Sequence, residues 1–173
     1  MFLKTLLMIV ILVCSFLLGE ELYCTYKKRH KDVSDLIKIL EILNMEFKFG
    51  MYTLSEVFFK IGNKKDFRLW EFFHNLANKL EEENNSSLES AFENSMHSIS
   101  DKTFLQEEEI DELKNLILNL GKSDFYSQES IIKLAIENIK KIQAKSLEDI
   151  KTKGMLYKKI SLIMGILLVI ILL

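Results

Sequence analysis

The sequence has no proline, only six glycines and only two cysteines in 173 residues. Proline and glycine mark turns and strand ends, so a chain poor in both has few places at which to fold back. No stretch sustains the alternation of apolar and polar residues that a half-buried strand requires. These absences exclude a fold built on many short strands and predict an all-α protein.

The sequence is equally poor in recognisable chemistry. Cys14 and Cys24 show no spacing typical of a disulfide framework or of a metal site. His74 occurs in an aromatic helical pattern and is interpreted as a structural, partly buried residue, and His97 as a surface residue. No serine lies in the context of a nucleophile elbow. We therefore predict no catalytic residue, no metal site and no cofactor, and a protein that is not an enzyme.

Each end of the chain carries an apolar segment instead. Residues 5–19 and 160–173 contain no charge, and a short cluster of basic residues flanks each segment on its inward side. Such clusters tend to stay in the cytoplasm, so the pattern predicts two membrane spans that both have their inner ends there. We call these clusters the basic collars; they comprise Lys27, Lys28, Arg29, Lys31, Lys151, Lys153, Lys158 and Lys159.

The predicted organisation has three parts: a transmembrane helix at 1–22, a cytoplasmic helical bundle at 23–153, and a second transmembrane helix at 154–173. The uncharged runs are short for membrane spans. As a helix, each covers only about 21–23 Å of a hydrocarbon layer of ~30 Å. The spanning helices must therefore extend outward, with lysines near their ends reaching to the headgroups.

The central region is acidic. Residues 32–150 hold 23 Asp and Glu against 14 Lys and Arg, and residues 81–112 hold eleven acids and one base, Lys102. Such a region should repel nucleic acid, whose affinity depends on phosphate charge, whereas the basic collars suit a lipid bilayer with anionic headgroups. The acidic run is either a solvated surface or a surface for a basic partner, and the pattern leaves both possibilities open.

Apolar residues recur at three- and four-residue steps through the central region, which indicates amphipathic helices. The first of these, from Val33, is expected to continue directly from the first span and to end near Gly50. The last shows no stop signal from 125 to 153 and is expected to lead into the second span. The predicted fold is an antiparallel bundle of about six helices, with N- and C-terminal transmembrane helices.

Capping patterns indicate where these helices begin and end. Asp66 is expected to begin the third helix, and Gly121 to end the fifth in a left-handed conformation. The Gly-Lys-Ser run at 121–123 lacks the upstream glycine of a phosphate-binding loop, so it is interpreted as the junction of two helices. Capping boxes are predicted for three pairs, Thr53 with Glu56, Ser86 with Glu89, and Thr103 with Gln106.

Nine aromatic residues are crowded between positions 47 and 73. Their helical spacing favours core packing, and the alternative is that some of the rings lie on a partner surface, where aromatic side chains supply much of the binding energy. The nine are Phe47, Phe49, Tyr52, Phe58, Phe59, Phe67, Trp70, Phe72 and Phe73.

Four short motifs, spread over the whole chain, resemble those of one family. They lie at the exit of the first span, at the end of the Leu-rich helix, at the entry to the last helix, and in the glycine-containing tail. The positions that carry the resemblance are Glu21, Arg29, Glu46, Gly50, Leu54, Gly121, Asp124, Gln128 and Gly165. The layout is similar to stage III sporulation protein AB of spore-forming bacteria. Thr53 departs from the pattern, because it stands where the family usually has proline.

The resemblance implies a function that the composition does not. Such proteins lie in the mother-cell membrane around the forespore and belong to a secretion-like channel between the two cells. The helical domain is similar to that of type II secretion and type IV pilus platform proteins. The implied role is a platform that couples a cytosolic secretion-type ATPase of the same operon to the other membrane proteins of the channel.

Two alternatives from other classes stay open at this point. The first is a membrane-tethered signalling helix bundle, although almost nothing would lie outside the two spans to receive a signal. The second is a membrane enzyme with an interfacial site that uses Glu21 and a histidine.

Overall fold

A computed structural model describes residues 2–49, 52–82, 87–122 and 125–172. The described residues form helices joined by short turns, and no strand occurs among them. The elements are α1 (Phe2–Phe49), α2 (Leu54–Gly62), α3 (Trp70–Glu82), α4 (Leu88–Ser95), α5 (His97–Lys102), α6 (Glu107–Leu120), α7 (Phe125–Asp149), a π-helical turn (Ile150–Gly154) and α8 (Met155–Leu172).

These elements group into the six helical segments that the sequence predicts. A single turn residue, Met96, separates α4 from α5. The π-helical turn joins α7 directly to α8, so the chain is helical without a break from Phe125 to Leu172. The all-α prediction is confirmed, as is the expectation that the first and last bundle helices continue into the apolar ends.

The chain divides into two compact units. The terminal unit consists of Met1–His30 with Ala144–Leu173, and the bundle unit consists of Lys31–Gln143. The terminal unit thus combines the two apolar ends with the basic collars, apart from Lys31. The bundle unit contains α2 to α6 together with the adjoining parts of α1 and α7.

The core of the bundle unit is built on aromatic rings. Phe72 contacts two other rings, with its ring centroid 5.1 Å from that of Phe73 and 5.4 Å from that of Phe92, both in edge-to-face geometry. Phe58 packs against Phe73 at 5.6 Å. All four rings are fully buried, and such pairs contribute about 0.5–1.5 kcal/mol each beyond the burial of their area.

Aliphatic side chains from the long helices surround these rings. The fully buried ones include Val33, Leu36, Ile39, Leu43, Ile117, Ile132 and Ile139. Gly62 permits a close crossing of α2 and α3, because a Cβ atom there would lie 2.7 Å from the Cα of His74. Most of the aromatic side chains described between positions 47 and 73 therefore belong to the core or pack against it, although Tyr52 and Phe59 are 47% and 40% exposed.

One predicted capping box is confirmed, and two others are changed. The Thr53 hydroxyl accepts from the Glu56 N–H, and the Glu56 carboxylate accepts from the Thr53 N–H at 2.7 Å. Ser87, rather than Ser86, caps α4 by accepting from the Ser90 N–H; Ser86 itself lies outside the described residues.

Thr103 does not open α6. It ends α5 instead, where both its N–H and its hydroxyl donate to the carbonyl of Ile99. The helix begins after Gln106, whose N–H donates to Glu109. The predicted capping box of Thr103 with Gln106 was therefore wrong, because the N-cap of α6 is Gln106, three residues after Thr103.

Two further helix ends differ from expectation. Asp66 does not cap α3, because the chain makes two successive turns through Phe67 before the helix begins at Trp70. Gly121 ends α6 with a φ of −68°, which is right-handed, so the predicted left-handed conformation was wrong. Its N–H still donates to the Ile117 carbonyl, and this bond completes the last helical turn without positive φ.

Two helices are long and apolar enough to cross a membrane by their length and composition, within Phe2–Lys48 and Ser127–Leu172. A core helix of a soluble protein would meet the same criterion but would be mostly buried. Here only 6% of the most apolar stretch of each helix is buried. The apolar side chains of the terminal unit therefore face outward, as side chains in contact with lipid do.

Candidate functional site

Two serines join the apolar helices of the terminal unit. The Ser15 hydroxyl of α1 donates to the carbonyl of Ser161, and the Ser161 hydroxyl of α8 donates to the carbonyl of Ser15 at 2.5 Å. Each hydroxyl thus bonds to the backbone of the opposite helix, which requires the two backbones to lie close together. Interhelical bonds of this kind contribute about 0.6–2 kcal/mol between membrane helices.

Glycines one turn from each serine make this approach possible. A Cβ atom at Gly19 would lie 3.1 Å from the carbonyl oxygen of Lys158, and one at Gly165 would lie 2.6 Å from the Cβ of Ser15. The two helices therefore carry matched small-xxx-small pairs, Ser15 with Gly19 and Ser161 with Gly165. Such pairs are typical of packed membrane helices.

A buried ion pair lies at the collar end of the same two helices. Arg29 Nη1 is 3.4 Å from Asp149 Oδ2, and the side chains are only 6% and 10% exposed. Lys153 Nζ is 2.7 Å from the other carboxylate oxygen of Asp149, and this hydrogen bond raises the pKa of Lys153. Asp149 therefore lies between two cations, immediately before the π-helical turn.

Aromatic and small residues surround this ion pair. The rings of Tyr26 and Tyr157 stack at 6.2 Å, and burial, followed by the neighbouring Tyr157 hydroxyl, raises the pKa of Tyr26. The imidazole Nδ1 of His30 is 2.7 Å from the Ser146 hydroxyl. Gly154 lets the π-helical turn approach α1, because a Cβ atom there would lie 3.1 Å from the Tyr23 ring.

The bundle unit contains a buried carboxylate of its own. Asp32 is 2% exposed; its Oδ2 accepts from the Phe104 N–H at 2.8 Å and lies 3.4 Å from Arg68 Nη1. The Arg68 guanidinium in turn lies 5.4 Å from the centroid of the Phe104 ring. Burial raises the pKa of Asp32, and the Phe104 and Arg68 contacts oppose that rise. This cluster fixes the segment before α6 against α1.

Most of the acidic side chains that the structure describes in the acidic run are exposed. Lys102, its single base, contacts Glu71 outside the run, and Glu109 is fully buried. The acids with exposed side chains are Glu81, Glu89, Glu93, Glu107, Glu108 and Asp111. We call these six residues the acidic surface.

The comparisons with known proteins identify the family. A family model described as stage III sporulation protein AB matches residues 4–173. The chain belongs to this family. No curated protein matches the chain.

A solved structure of a stage III sporulation protein AB supports the fold of this family member. The chain is 24% identical to it, and the match covers 71% of this chain and 96% of that one, with a TM-score of 0.63. The likeness of the two chains therefore shows a shared helical fold.

Several positions that resemble the family motifs join one helix to another. Arg29 pairs with Asp149, as described above. Glu46 of α1 lies 2.6 Å from Lys60 of α2, and the Gln128 amide donates to the Leu120 carbonyl at the end of α6. Leu54 packs against the bundle core, and Gly165 lies against Ser15. These five positions therefore contribute to packing between helices.

The remaining motif positions are not joined to these contacts. Glu21 is exposed, and its carbonyl accepts from the Thr25 hydroxyl at 3.1 Å. Gly121 is exposed at the end of α6. Gly50 and Asp124 lie outside the described residues.

Sequence reasoning did not single out Ser15, Ser161, Asp149 or Asp32. The two serines carried a usable signal, because each stands four residues before a glycine in an apolar helix. Asp149 and Asp32 carried none, since their partners lie 120 and 36 residues away along the chain.

The enzyme alternative names Glu21 and a histidine as its site. No group of three or more His, Cys, Asp or Glu among them could hold a metal ion. His74 lies against the rings of Phe59 and Trp70, at 5.3 and 6.4 Å, and His97 is exposed. The terminal helices form a tightly packed pair with outward-facing apolar side chains and charged residues at one end.

Proposed function

We propose that this chain is a membrane platform of the secretion-like channel between mother cell and forespore, and that it couples a cytosolic ATPase to the membrane complex. In this proposal it is not an enzyme, and its bundle unit lies in the cytoplasm of the mother cell. The observation that carries the proposal is family membership over residues 4–173, together with the paired apolar helices of the terminal unit.

The terminal unit supports the membrane part of the proposal. Its apolar side chains face outward, and its polar groups are satisfied within the helix pair, as the reciprocal Ser15–Ser161 bonds show. Glu20 contacts Lys158 at the collar end, so a carboxylate at the edge of the span has a cationic partner. A carboxylate at that depth would otherwise be costly.

The acidic surface supports the docking part. Its six carboxylates are exposed and outnumber the neighbouring Lys114, which pairs with Glu93, so they would attract a basic partner and orient its approach. We propose that the ATPase presents basic residues to this surface. Motion of the motor would then pass along α1 and along α7 and α8, whose helices continue into the apolar ends.

Pull-down of the ATPase encoded in the same operon by the full chain in detergent tests docking. We expect a complex that weakens as salt rises, because salt screens exposed charges. Asp111→Lys, which reverses one charge of the acidic surface, should weaken the complex several-fold. Glu137→Lys is the matched control, because it makes the same reversal at an exposed position of α7.

The outcomes separate the parts of this proposal. Absence of a complex at every salt concentration would argue against a platform for the motor. A complex that both reversals weaken equally would argue against the acidic surface as the docking site. Loss of function from alanine at Glu21, His74 or His97, with folding and ATPase binding intact, would favour the enzyme alternative instead.

A further inference from the structure

A groove on one face of the terminal helix pair combines an apolar lining with lysine side chains. It has a volume of about 330 Å³ and is lined by Phe16 and Tyr23 of α1 and by Met155, Lys158, Lys159 and Leu162 of α8. The volume lies within the range of roughly 300–1,000 Å³ that small-molecule sites occupy. The lining is apolar except for two adjacent lysines.

The lysines give the groove a positive rim at its collar end. Lys158 Nζ contacts the Glu20 carboxylate and lies 5.4 Å from the centroid of the Tyr23 ring. Lys27 Nζ lies 4.6 Å from the same ring centroid. Lys159 is exposed and forms no ion pair within the part of the chain that the structure describes. Glu20 pairs with Lys158 alone, so Lys159 in the lining and Lys27 beside the Tyr23 ring leave the rim with excess positive charge.

The direction of α8 places these charges at headgroup level. Side chains of an α-helix tilt toward its N-terminus, and the N-terminus of α8 is the collar end. This tilt carries the Lys159 amine toward the headgroups, as in snorkelling lysines. Lys158 Nζ lies between the rings of Phe16 and Tyr23, 5.8 and 5.4 Å from their centroids. Phe16 and Leu162 lie farther along the groove, on the side where acyl chains would run.

We propose that this groove binds one anionic phospholipid, with its phosphate at Lys159 and Lys158 and an acyl chain against Phe16 and Leu162. Charge complementarity selects this occupant: the rim is positive, the floor is apolar, and a phosphate carries the opposite charge. The proposal rests on membrane insertion of the terminal unit, which is part of the proposed function, but not on ATPase docking.

A second groove on the helix pair supplies an internal comparison. It has a volume of about 460 Å³ and is lined by residues that include Cys14, Leu18, Met164 and Leu168, with no charged side chain. Apolar chains could enter either groove, but only the first would distinguish an anionic headgroup from a zwitterionic one.

Native mass spectrometry of the full chain in an uncharged detergent tests the proposal. The probes are dioleoylphosphatidylglycerol, dioleoylphosphatidylcholine and inorganic phosphate. We expect one phosphatidylglycerol to be retained at least tenfold more tightly than phosphatidylcholine, and inorganic phosphate not to be retained. Lys159→Gln should weaken retention of phosphatidylglycerol about fivefold or more. Lys151→Gln, which removes an exposed collar lysine outside the groove, should change it by less than twofold.

A second pair of variants tests the apolar floor without changing charge. Leu162→Trp fills the groove and should abolish retention, whereas Met164→Trp fills the second groove and should leave it unchanged. Circular dichroism confirms that each variant keeps its helices. Equal retention of the two lipids, equal effects of Lys159→Gln and Lys151→Gln, or a second copy of the chain in place of lipid would overturn the proposal. A chain that keeps neither lipid and does not enter vesicles would overturn membrane insertion itself.

Discussion

Arg29 and Asp149 form an ion pair between α1 and α7, with Nη1 and Oδ2 3.4 Å apart and both side chains almost fully buried. Removal of one partner of a buried pair leaves an uncompensated charge, which costs about 3–5 kcal/mol. We therefore expect Asp149→Ala to lower the melting temperature of the full chain in detergent markedly. The measurement is thermal unfolding followed by circular dichroism.

Lys153→Ala is the matched control for this pair. It removes the second cation beside Asp149, but the lysine side chain is 56% exposed, and solvent screening makes exposed ion pairs contribute little to stability. A melting temperature that falls as far for Lys153→Ala as for Asp149→Ala would contradict the importance of burial at this site.

Gly165→Leu should separate the terminal helices. A Cβ atom alone would lie 2.6 Å from the Cβ of Ser15, so a larger side chain must displace α8 and break the serine bonds. We expect a lower melting temperature and faster cleavage of the terminal helices by protease in detergent. Val10→Phe adds about as many carbon atoms at a position that is 50% exposed and should have little effect. If both variants behaved like the unmodified chain, the close packing at Gly165 would be refuted.

Phe72→Ala should destabilise the bundle unit strongly. Its ring is fully buried and contacts two other phenylalanines edge to face, and truncation of such a residue costs about 3–5 kcal/mol. Phe59→Ala, at a ring that is 40% exposed, should cost much less. Guanidinium unfolding of the two variants gives the comparison, and equal midpoints would show that the aromatic core is not as described.

Two carboxylates should affect stability in opposite directions as the pH falls. Burial raises the pKa of Asp32, so the folded state binds this proton more readily than the unfolded state does. The stabilisation of the folded state by Asp32 is therefore fully present below the ordinary aspartate pKa and is lost as the pH rises through the raised pKa of the folded state. The Thr53 N–H and hydroxyl lower the pKa of Glu56, so that contribution is present at higher pH and is lost as the pH falls.

Guanidinium midpoints measured from pH 7 downward check these signs. Relative to the unmodified chain, Asp32→Asn should lose stability as the pH falls, because the unmodified chain gains from protonation. Glu56→Gln should be less stable at pH 7 and should approach the unmodified chain in acid. Parallel pH profiles for the two variants would contradict both assignments.

The parts of this fold that could be predicted from the sequence are those with local causes. Leu36 and Leu43 recur at helical spacing, the absence of proline leaves α1 uninterrupted, and the box of Thr53 and Glu56 involves residues three apart. Each of these signals is contained within a few turns of one helix.

The parts that could not be predicted depend on contacts between distant residues. Asp66 has the chemistry of an N-cap, but Phe67 packs against the core, Leu69 is buried, and the helix begins only at Trp70. The partnership of Arg29 with Asp149 connects residues 120 apart, and periodicity gives no information about it. The π-helical turn at 150–154 likewise has no signal that the sequence analysis used.

The sidedness of the bundle unit tests the central claim most directly. In a chain with Cys14 and Cys24 replaced by serine, single cysteines at the exposed positions Lys64 and His97 would be probed with a membrane-impermeant maleimide in intact vegetative cells that produce the chain, whose cell membrane faces the medium. We expect these cysteines to react only after the membrane is permeabilised, and a control cysteine at Leu172 to react without permeabilisation. Labelling of Lys64→Cys or His97→Cys in intact cells would place the bundle unit outside the cytoplasm and would contradict a platform that couples a cytosolic ATPase.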